Sequence, residues 1–464
     1  MSTTSTASIS KVQKEKRIDP EFYQPKYLKY DEVFRNIGAP IVELGDVIKD
    51  GYRVVYENTN ILDEEFDNDE HVKFLQASDI LDDFPAIEKE SIGWVTRKDL
   101  SRYPKGQIRR GEVLIEVKGK AEKVVHVPSD FPENVLVTGT LYKILPDESI
   151  VDSRYLTLYL LSDIGKELRN REKTNTLISY VNKDALYGLT IPLLENSTQK
   201  KFGKSYSRAM ELREKSKSRK DRAEQVLLDA LGLDDFTPGQ ENTFTTSLTD
   251  LDSTLRLDAG YYRPKYIEAL TTLKNGTSNQ CLSEIASLEK GNQARGDGHM
   301  PYASIGDLHG PVLYPSDTAD PSEDLITVGP QDLILAVTGA TIGKNGMNLT
   351  EEQIAISGDM IAIRPQTVDP YYLLTVIGSP MVQALCDRDK TGTTNEHLGP
   401  DDVAQFPIPR LDPDVEKRIG QLARGSLEAR SKAKETVWST VEKLEQTILR
   451  HHPQETSVTS PEEN

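Results

Sequence analysis

Arg17-Ile-Asp-Pro-Glu-Phe-Tyr-Gln-Pro-Lys-Tyr27 returns as Arg256-Leu-Asp-Ala-Gly-Tyr-Tyr-Arg-Pro-Lys-Tyr266, identical at six of eleven positions. Further matches follow in the same order. Phe74-Leu-Gln-Ala-Ser-Asp-Ile80 corresponds to Tyr302-Ala-Ser-Ile-Gly-Asp-Leu308, and Gly111-Glu-Val-Leu-Ile-Glu-Val-Lys-Gly119 to Gln331-Asp-Leu-Ile-Leu-Ala-Val-Thr-Gly339. Val135-Leu-Val-Thr-Gly139 then corresponds to Ile354-Ala-Ile-Ser-Gly358, Val151-Asp-Ser-Arg-Tyr-Leu156 to Val368-Asp-Pro-Tyr-Tyr-Leu373, and Thr190-Ile-Pro192 to Pro407-Ile-Pro409. The offset between the copies falls only from 239 residues (17 to 256) to 217 (190 to 407). An ordered series at a nearly constant offset marks an internal duplication. One skeleton is therefore built twice within 464 residues, and the differences between copies lie in their loops.

Within each copy the pattern predicts a mixed helix and sheet domain. Apolar runs at Val113–Val117 and Leu333–Val337, closed by Gly, read as strand cores. A helix is expected at Ser153–Glu172 and again at Pro370–Asp389, with apolar faces (Leu156, Leu160, Ile164, Leu168; Leu373, Ile377, Met381, Leu385) and Lys or Arg near the end to suit the helix dipole. Each copy closes on a long polar helix. In the second, Ile419, Leu422, Ser426, Ala429, Ala433, Val437, Val441, Leu444 and Ile448 step by three or four, a coiled-coil stripe. The first uses Phe202, Tyr206, Ala209, Ala223, Leu227 and Ala230. Neither stripe can be buried alone, so the two long helices are expected to pair, antiparallel if the copies are related by a two-fold axis. The expected boundaries are a disordered N-terminus at 1–16, the first copy at 17–194, its long helix at 195–232, a linker at 233–255, the second copy at 256–410, its helix at 411–450 and a disordered tail at 451–464.

Lys and Arg total 56 against 74 Asp and Glu, a net charge of −18. Such a balance argues against a polyanion partner unless positive charge is concentrated locally. It is: Ser101–His126 carries seven Lys or Arg against three Glu, and Asn196–Leu231 ten bases against five acids. The acidic run Glu57–Glu70 reads as a solvated loop. No stretch approaches the ~18 uncharged apolar residues of a membrane span, and the polar start lacks the apolar segment of a secretory signal, so a cytoplasmic location is expected. With Cys281 and Cys386 alone and seven scattered His, neither a disulfide framework nor a structural metal is expected.

Gly339-Ala-Thr-Ile-Gly343-Lys344 departs from a phosphate loop, which needs four residues between the glycines and Ser or Thr after the Lys, where this chain has Asn345. Asp369-Pro-Tyr-Tyr372 lacks the second proline of the Asp-Pro-Pro-Tyr segment of amino-methyltransferases and reads instead as a helix cap. With no nucleophile, base or metal set in evidence, the chain is expected to be non-catalytic. What recurs is a set of polar, Gly-flanked turns. They comprise Arg53 in the first copy and Asn292, Gln293 and Arg295 in the second; Lys118, Lys120 and Lys123 against Thr338, Thr341 and Lys344; and Thr174 and Asn175 against Thr391, Thr393 and Asn395. These side chains read base edges and hold phosphates, and Gly permits close backbone approach to a ligand.

The strand and turn Asp332-Leu-Ile-Leu-Ala-Val-Thr-Gly-Ala-Thr-Ile-Gly-Lys344, the later Phe406-Pro-Ile-Pro409, the terminal long helix and the tandem duplication together resemble the DNA specificity subunit of Type I restriction-modification systems, over about residues 17–450. In the first copy the turn is Lys118-Gly-Lys-Ala-Glu-Lys123, a departure from the family pattern. The resemblance implies an α+β chain with two tandem target-recognition domains, joined by two long helices in an antiparallel coiled coil of pseudo-two-fold symmetry. It implies that each domain reads one half of a bipartite site on double-stranded DNA, and that the helices set the half-site spacing and dock two methyltransferase subunits. No cofactor is then expected in this chain: S-adenosylmethionine, for adenine N6 methylation, would sit on the methyltransferases, and ATP with Mg on restriction/translocase subunits where these join. The competing expectation is a duplicated protein-binding scaffold of a multi-subunit defence complex, without direct DNA readout.

Overall fold

The computed structural model describes residues 6, 9, 12, 13, 17–57, 59–62, 70–173, 180–233, 236, 243–245, 258–275, 278–294, 298–321, 324–392 and 394–450. Most of the expected linker at 233–255, and the expected tail at 451–464, lie outside them. The chain is α+β and divides into two units: Met1–Glu211 with Lys432–Asn464, and Leu212–Ser431. The long helices run over Asn196–Ala230 and Pro413–Leu449, so each contributes a part to each unit.

In the first unit, strands Ile48–Tyr52, Leu141–Pro146, Val113–Glu116 and Val124–His126 form one antiparallel sheet in that spatial order. A second sheet pairs His71–Leu75 antiparallel with Gly93–Thr96 and parallel with Leu136–Val137. Ile41–Glu43 pairs with Thr190–Pro192. The second unit repeats this scheme with extra short strands: Ala286–Lys290, Met360–Pro365, Leu333–Ala336 and Asn345–Met347 are successive neighbours, and Met300–Ala303 lies parallel to Ile354–Ile356. Ser278–Cys281 pairs with Pro407–Arg410. The parallel pairs keep the duplication in register, Phe74 opposite Leu136 and Tyr302 opposite Ala355. Residues of Val113–Ile115 and Leu333–Ala336 are at most 1% exposed, as befits apolar runs covered on both faces.

The single helices expected at Ser153–Glu172 and Pro370–Asp389 are each broken. They are Ser153–Leu161 with Asp163–Arg171, and Pro370–Ile377 with Pro380–Asp389. At the first break Ser162 becomes an N-cap, its Oγ accepting from the Gly165 amide at 3.1 Å. A Cβ at Gly165 would lie 2.2 Å from the Tyr159 carbonyl, so the two segments fold back too closely for any other residue. At the second break Ser379 caps and Pro380 supplies the first residue, whose missing N–H would have had no helical partner. Asp152 and Asp369 do cap their helices: Asp369 Oδ1 accepts from the amides of Tyr371 and Tyr372, both at 2.9 Å.

The Arg and Lys at the ends of these segments do not all face solvent. Arg171 is 8% exposed, donates to Phe22 O and Asp31, and lies 4.0 Å over the Phe22 ring. Arg388 lies 4.8 Å over Tyr261, the residue matched to Phe22 in the duplicated motif. A cation stacked on an aromatic ring thus fastens the entry segment of each unit to its second short helix.

The long helices pack by the expected stripe, with Ile419, Ser426, Ala429, Ala433, Val437, Val441, Leu444 and Ile448 all buried. Leu422 is only partly covered, and Ala230 is exposed rather than in the seam, because Val226, Leu227 and Leu231 carry burial at that end. Within the second unit, Ser216 Oγ meets Ser426 Oγ at 3.1 Å and Arg219 donates to Gly425 O at 2.6 Å. One residue number rises as its partner falls, so these segments run antiparallel.

Candidate nucleic-acid interface

In the second unit three turns converge at one end of the six-stranded sheet. After strand Ala286–Lys290 the Gly291 amide donates to Met360 O at 2.9 Å and the Asn292 amide to Ile356 O at 3.2 Å. After strand Leu333–Ala336 the Val337 amide donates to Asp359 O at 2.9 Å, and Val337 O accepts from Leu398 at 3.0 Å. The Gly339 amide reaches Glu396 O at 2.8 Å, while Thr391 and His397 exchange amide and carbonyl bonds, both 2.8 Å. Sheet register therefore brings segments about 100 residues apart in sequence into one rim.

The side chains on that rim are polar. Asn292 and Gln293 are exposed, with Asn292 Nδ2 donating to Asp324 O at 2.9 Å. Thr338 and Thr341 are half-buried, and Thr341 Oγ1 donates to Thr338 O at 2.7 Å, closing the turn on itself. Lys344, Thr391 and Asn395 are exposed. Gly339 (φ 61°), Gly343 (φ 90°) and Gly392 (φ 101°) supply the left-handed backbone these turns require. Arg295 and Thr393 lie outside the described residues.

The first unit builds the same rim with different chemistry. The Val117 amide donates to Thr140 O at 3.0 Å, and Val117 O accepts from Val181 at 3.0 Å, the counterpart of the bond from Leu398 to Val337. Lys118 pairs with Tyr180 as Thr338 pairs with His397. Arg53 donates to Gly139 O at 3.2 Å and lies 5.0 Å over the Tyr180 ring. Lys120 is exposed. Lys123 is occupied by the fold: its ammonium, 19% exposed, donates to Ala77 O at 2.9 Å and Ile80 O at 2.6 Å and pairs with Asp82 at 2.8 Å. Thr174 and Asn175 lie outside the described residues. Tyr180 and His397 join the rim without having been singled out in the sequence. Each sits three residues before the first residue of a short helix, Lys183–Tyr187 or Pro400–Ala404, and just ahead of Val181 or Leu398, and that shared spacing was the available signal.

Beneath the turns lie charged groups. Glu116 Oε2 accepts from the amides of Glu122 at 3.0 Å and Lys123 at 3.3 Å, shaping the Lys118–Lys123 turn. Arg169, 0% exposed, donates to the carbonyls of Leu160, Ala121 and Glu122. Burial brings its guanidinium pKa down to about 10. In the second unit Gln383 Nε2 donates to Gly343 O at 2.9 Å and Ile377 O at 3.0 Å. Away from the turn, at the start of strand Val113–Glu116, Glu112 and Lys143, 3% and 4% exposed, form a buried ion pair of 2.7 Å. His126 is held neutral, its pKa lowered to about 4 by burial and then by Arg154. No group of three or more His, Cys, Asp or Glu able to hold a metal occurs among the described residues.

No protein-family model matches this chain, and no curated protein matches its sequence. Among solved structures it is similar to the Type I restriction-modification system S subunit from M. genitalium, at 13% identity over 91% of this chain and 98% of that chain, with a TM-score of 0.42. It is also similar to a chain from a study of the assembly and conformational transition of the type I R-M system (16% identity, 89% and 96% covered, TM-score 0.29). A third likeness is to the HsdS subunit from Thermoanaerobacter tengcongensis (16% identity, 89% and 95% covered, TM-score 0.28).

Proposed function

We propose that this chain is the DNA-specificity subunit of a Type I restriction-modification complex, non-catalytic itself, in which each unit reads one half of a bipartite double-stranded DNA target. The observation that carries this reading is the pair of rims: the same backbone bonds at Val117 and Val337 support Arg53, Lys118 and Tyr180 in one unit and Asn292, Thr338 and His397 in the other. A constant support under different side chains suits two unlike half-sites, because sequence is read by side chains at base edges. The sequence resemblance over residues 17–450 favours the same role.

On this reading two methyltransferase subunits dock on the chain and supply S-adenosylmethionine for adenine N6 methylation. Restriction/translocase subunits, where present, bring ATP and Mg. The acidic balance of −18 leaves most phosphate contacts to these partners. Fluorescence anisotropy on duplex DNA tests the reading. Weak binding by the chain alone, tight binding with methyltransferase subunits and a steep loss of affinity with salt are expected. Salt-independent affinity, or none with partners added, refutes it and leaves the protein-binding scaffold.

A further inference from the structure

The turns that project from the two rims are fastened from beneath by side chains at unmatched positions. We infer that Arg169 and Gln383 are positioning residues, each tying the base-reading turn of its own unit to the C-terminal carbonyls of the first short helix so that the turn is presented in one conformation. The inference rests on the DNA-reading role proposed above.

The contacts are the same in kind. Arg169 bridges Leu160 O, near the end of helix Ser153–Leu161, to Ala121 O (3.4 Å) and Glu122 O (3.3 Å) in the Lys118–Lys123 turn. Gln383 bridges Ile377 O, at the end of helix Pro370–Ile377, to Gly343 O in the Thr338–Lys344 turn. Leu160 and Ile377 are each the eighth residue of their helix. Each bridge also grips left-handed backbone: Ala121 has φ 54° and Gly343 φ 90°. A non-glycine residue such as Ala121 seldom adopts that conformation unless its surroundings impose it.

Simple inheritance from the duplicated ancestor does not account for the pair. At the offset of 217 that relates these helices, Arg169 corresponds to Cys386 and Gln383 to Lys166. The same bridge has thus been made from positions three residues apart, by a cation in one unit and an amide in the other. Packing alone does not call for Arg169 either. Its hydrogen bonds all go to backbone carbonyls, its Nε has no partner among the described residues, and burying a guanidinium in that way is costly, whereas Cys386 fills the matching place as a small buried side chain.

The test uses the full chain co-expressed with its methyltransferase subunits, with the methylated motif read by sequencing modified bases. Arg169→Met is expected to lower discrimination at bases of one half-site at least tenfold and leave the other half-site unchanged. Gln383→Met should relax the opposite half-site, and Arg169→Gln, which restores donors to the same carbonyls, should recover most of the lost discrimination. Lys143→Met serves as the comparison, because it disturbs the first unit at a buried ion pair away from the turn. Unchanged discrimination in both Met variants overturns the inference, as does equal relaxation by Lys143→Met. Should Arg169→Met fail to accumulate, the half-buried Gln383 position decides. A wild-type complex that methylates no specific sequence overturns the DNA reading itself, an outcome distinct from the others.

Discussion

Gly203→Ala is expected to destabilise the first unit, although Ala is the better helix former. Gly203 lies in the interior of helix Asn196–Ala230, where replacing Gly by Ala ordinarily gains about 1 kcal/mol. A Cβ there, however, would fall 2.7 and 2.8 Å from the carboxylate oxygens of Asp152. That carboxylate is the N-cap of helix Ser153–Leu161, accepting from the amides of Arg154 at 2.9 Å and Tyr155 at 3.3 Å. Displacing it loses a cap worth about 1 kcal/mol and adds an overpacking cost of roughly 1–3 kcal/mol. The net loss of about 2 kcal/mol corresponds to a fall in Tm of roughly 4–8 °C for a unit of this size. The decisive comparison is a double-mutant cycle followed by calorimetry. In an Asp152→Ala background the obstruction is gone, so Gly203→Ala should raise Tm by roughly 2–4 °C, reversing its sign. The same holds for Gly420, whose Cβ would lie 2.6 Å from Asp369 Oδ1. A stabilising Gly203→Ala in the wild-type background, or an unchanged sign without Asp152, would refute the reasoning.

Lys143→Met strands the Glu112 carboxylate in the interior and should cost about 3–5 kcal/mol in urea unfolding, whereas replacing both partners by apolar residues should cost much less; a loss below about 1 kcal/mol contradicts this. For His126 the folded pKa of about 4 lies below its unfolded value, so stability is fully present above pH 6.5 and is lost as pH falls toward 4. His126→Gln should flatten the Tm profile across that window, and an unchanged slope would show that another group governs it. Exchanging the turns within residues 256–409 for those of a relative should alter one half of the methylated motif only, as read by sequencing modified bases; change in both halves contradicts separate readers.

What the sequence made legible is what local chemistry and the duplication determine. That Phe74 and Leu136 would stand in places equivalent to Tyr302 and Ala355 was legible in the alignment, whereas their parallel pairing was not; the cap at Asp369 was legible from residue type alone. The helix breaks were hidden because the apolar faces, Leu156 through Leu168 and Leu373 through Leu385, continue in phase across them. Capping serines and the close approach at Gly165 decide the break, and the latter is a tertiary contact. At the rim, Lys123 was indistinguishable in sequence from Lys118 and Lys120, since the carbonyls that hold it belong to Ala77 and Ile80, more than 40 residues away. Arg169 was concealed for a similar reason: a cation near a helix end looks solvated until the segment covering it is known.

The division of the long helices bears on the order in which the protein is completed during synthesis. Leu212–Ser431 is one uninterrupted stretch, whereas the first unit needs both Met1–Glu211 and Lys432–Asn464. At roughly 5–20 residues per second, the intervening 220 residues from 212 to 431 take roughly 11–44 s to translate. The unit encoded first is therefore finished last. Throughout that interval Asp83 waits for the indole of Trp438, which donates to its carbonyl at 3.1 Å, and the Asp163 amide for the carboxylate of Glu445. A nascent chain stalled before Lys432 should hold a protease-resistant second unit beside a first unit that is still open to cleavage, and release of the last helix should close it.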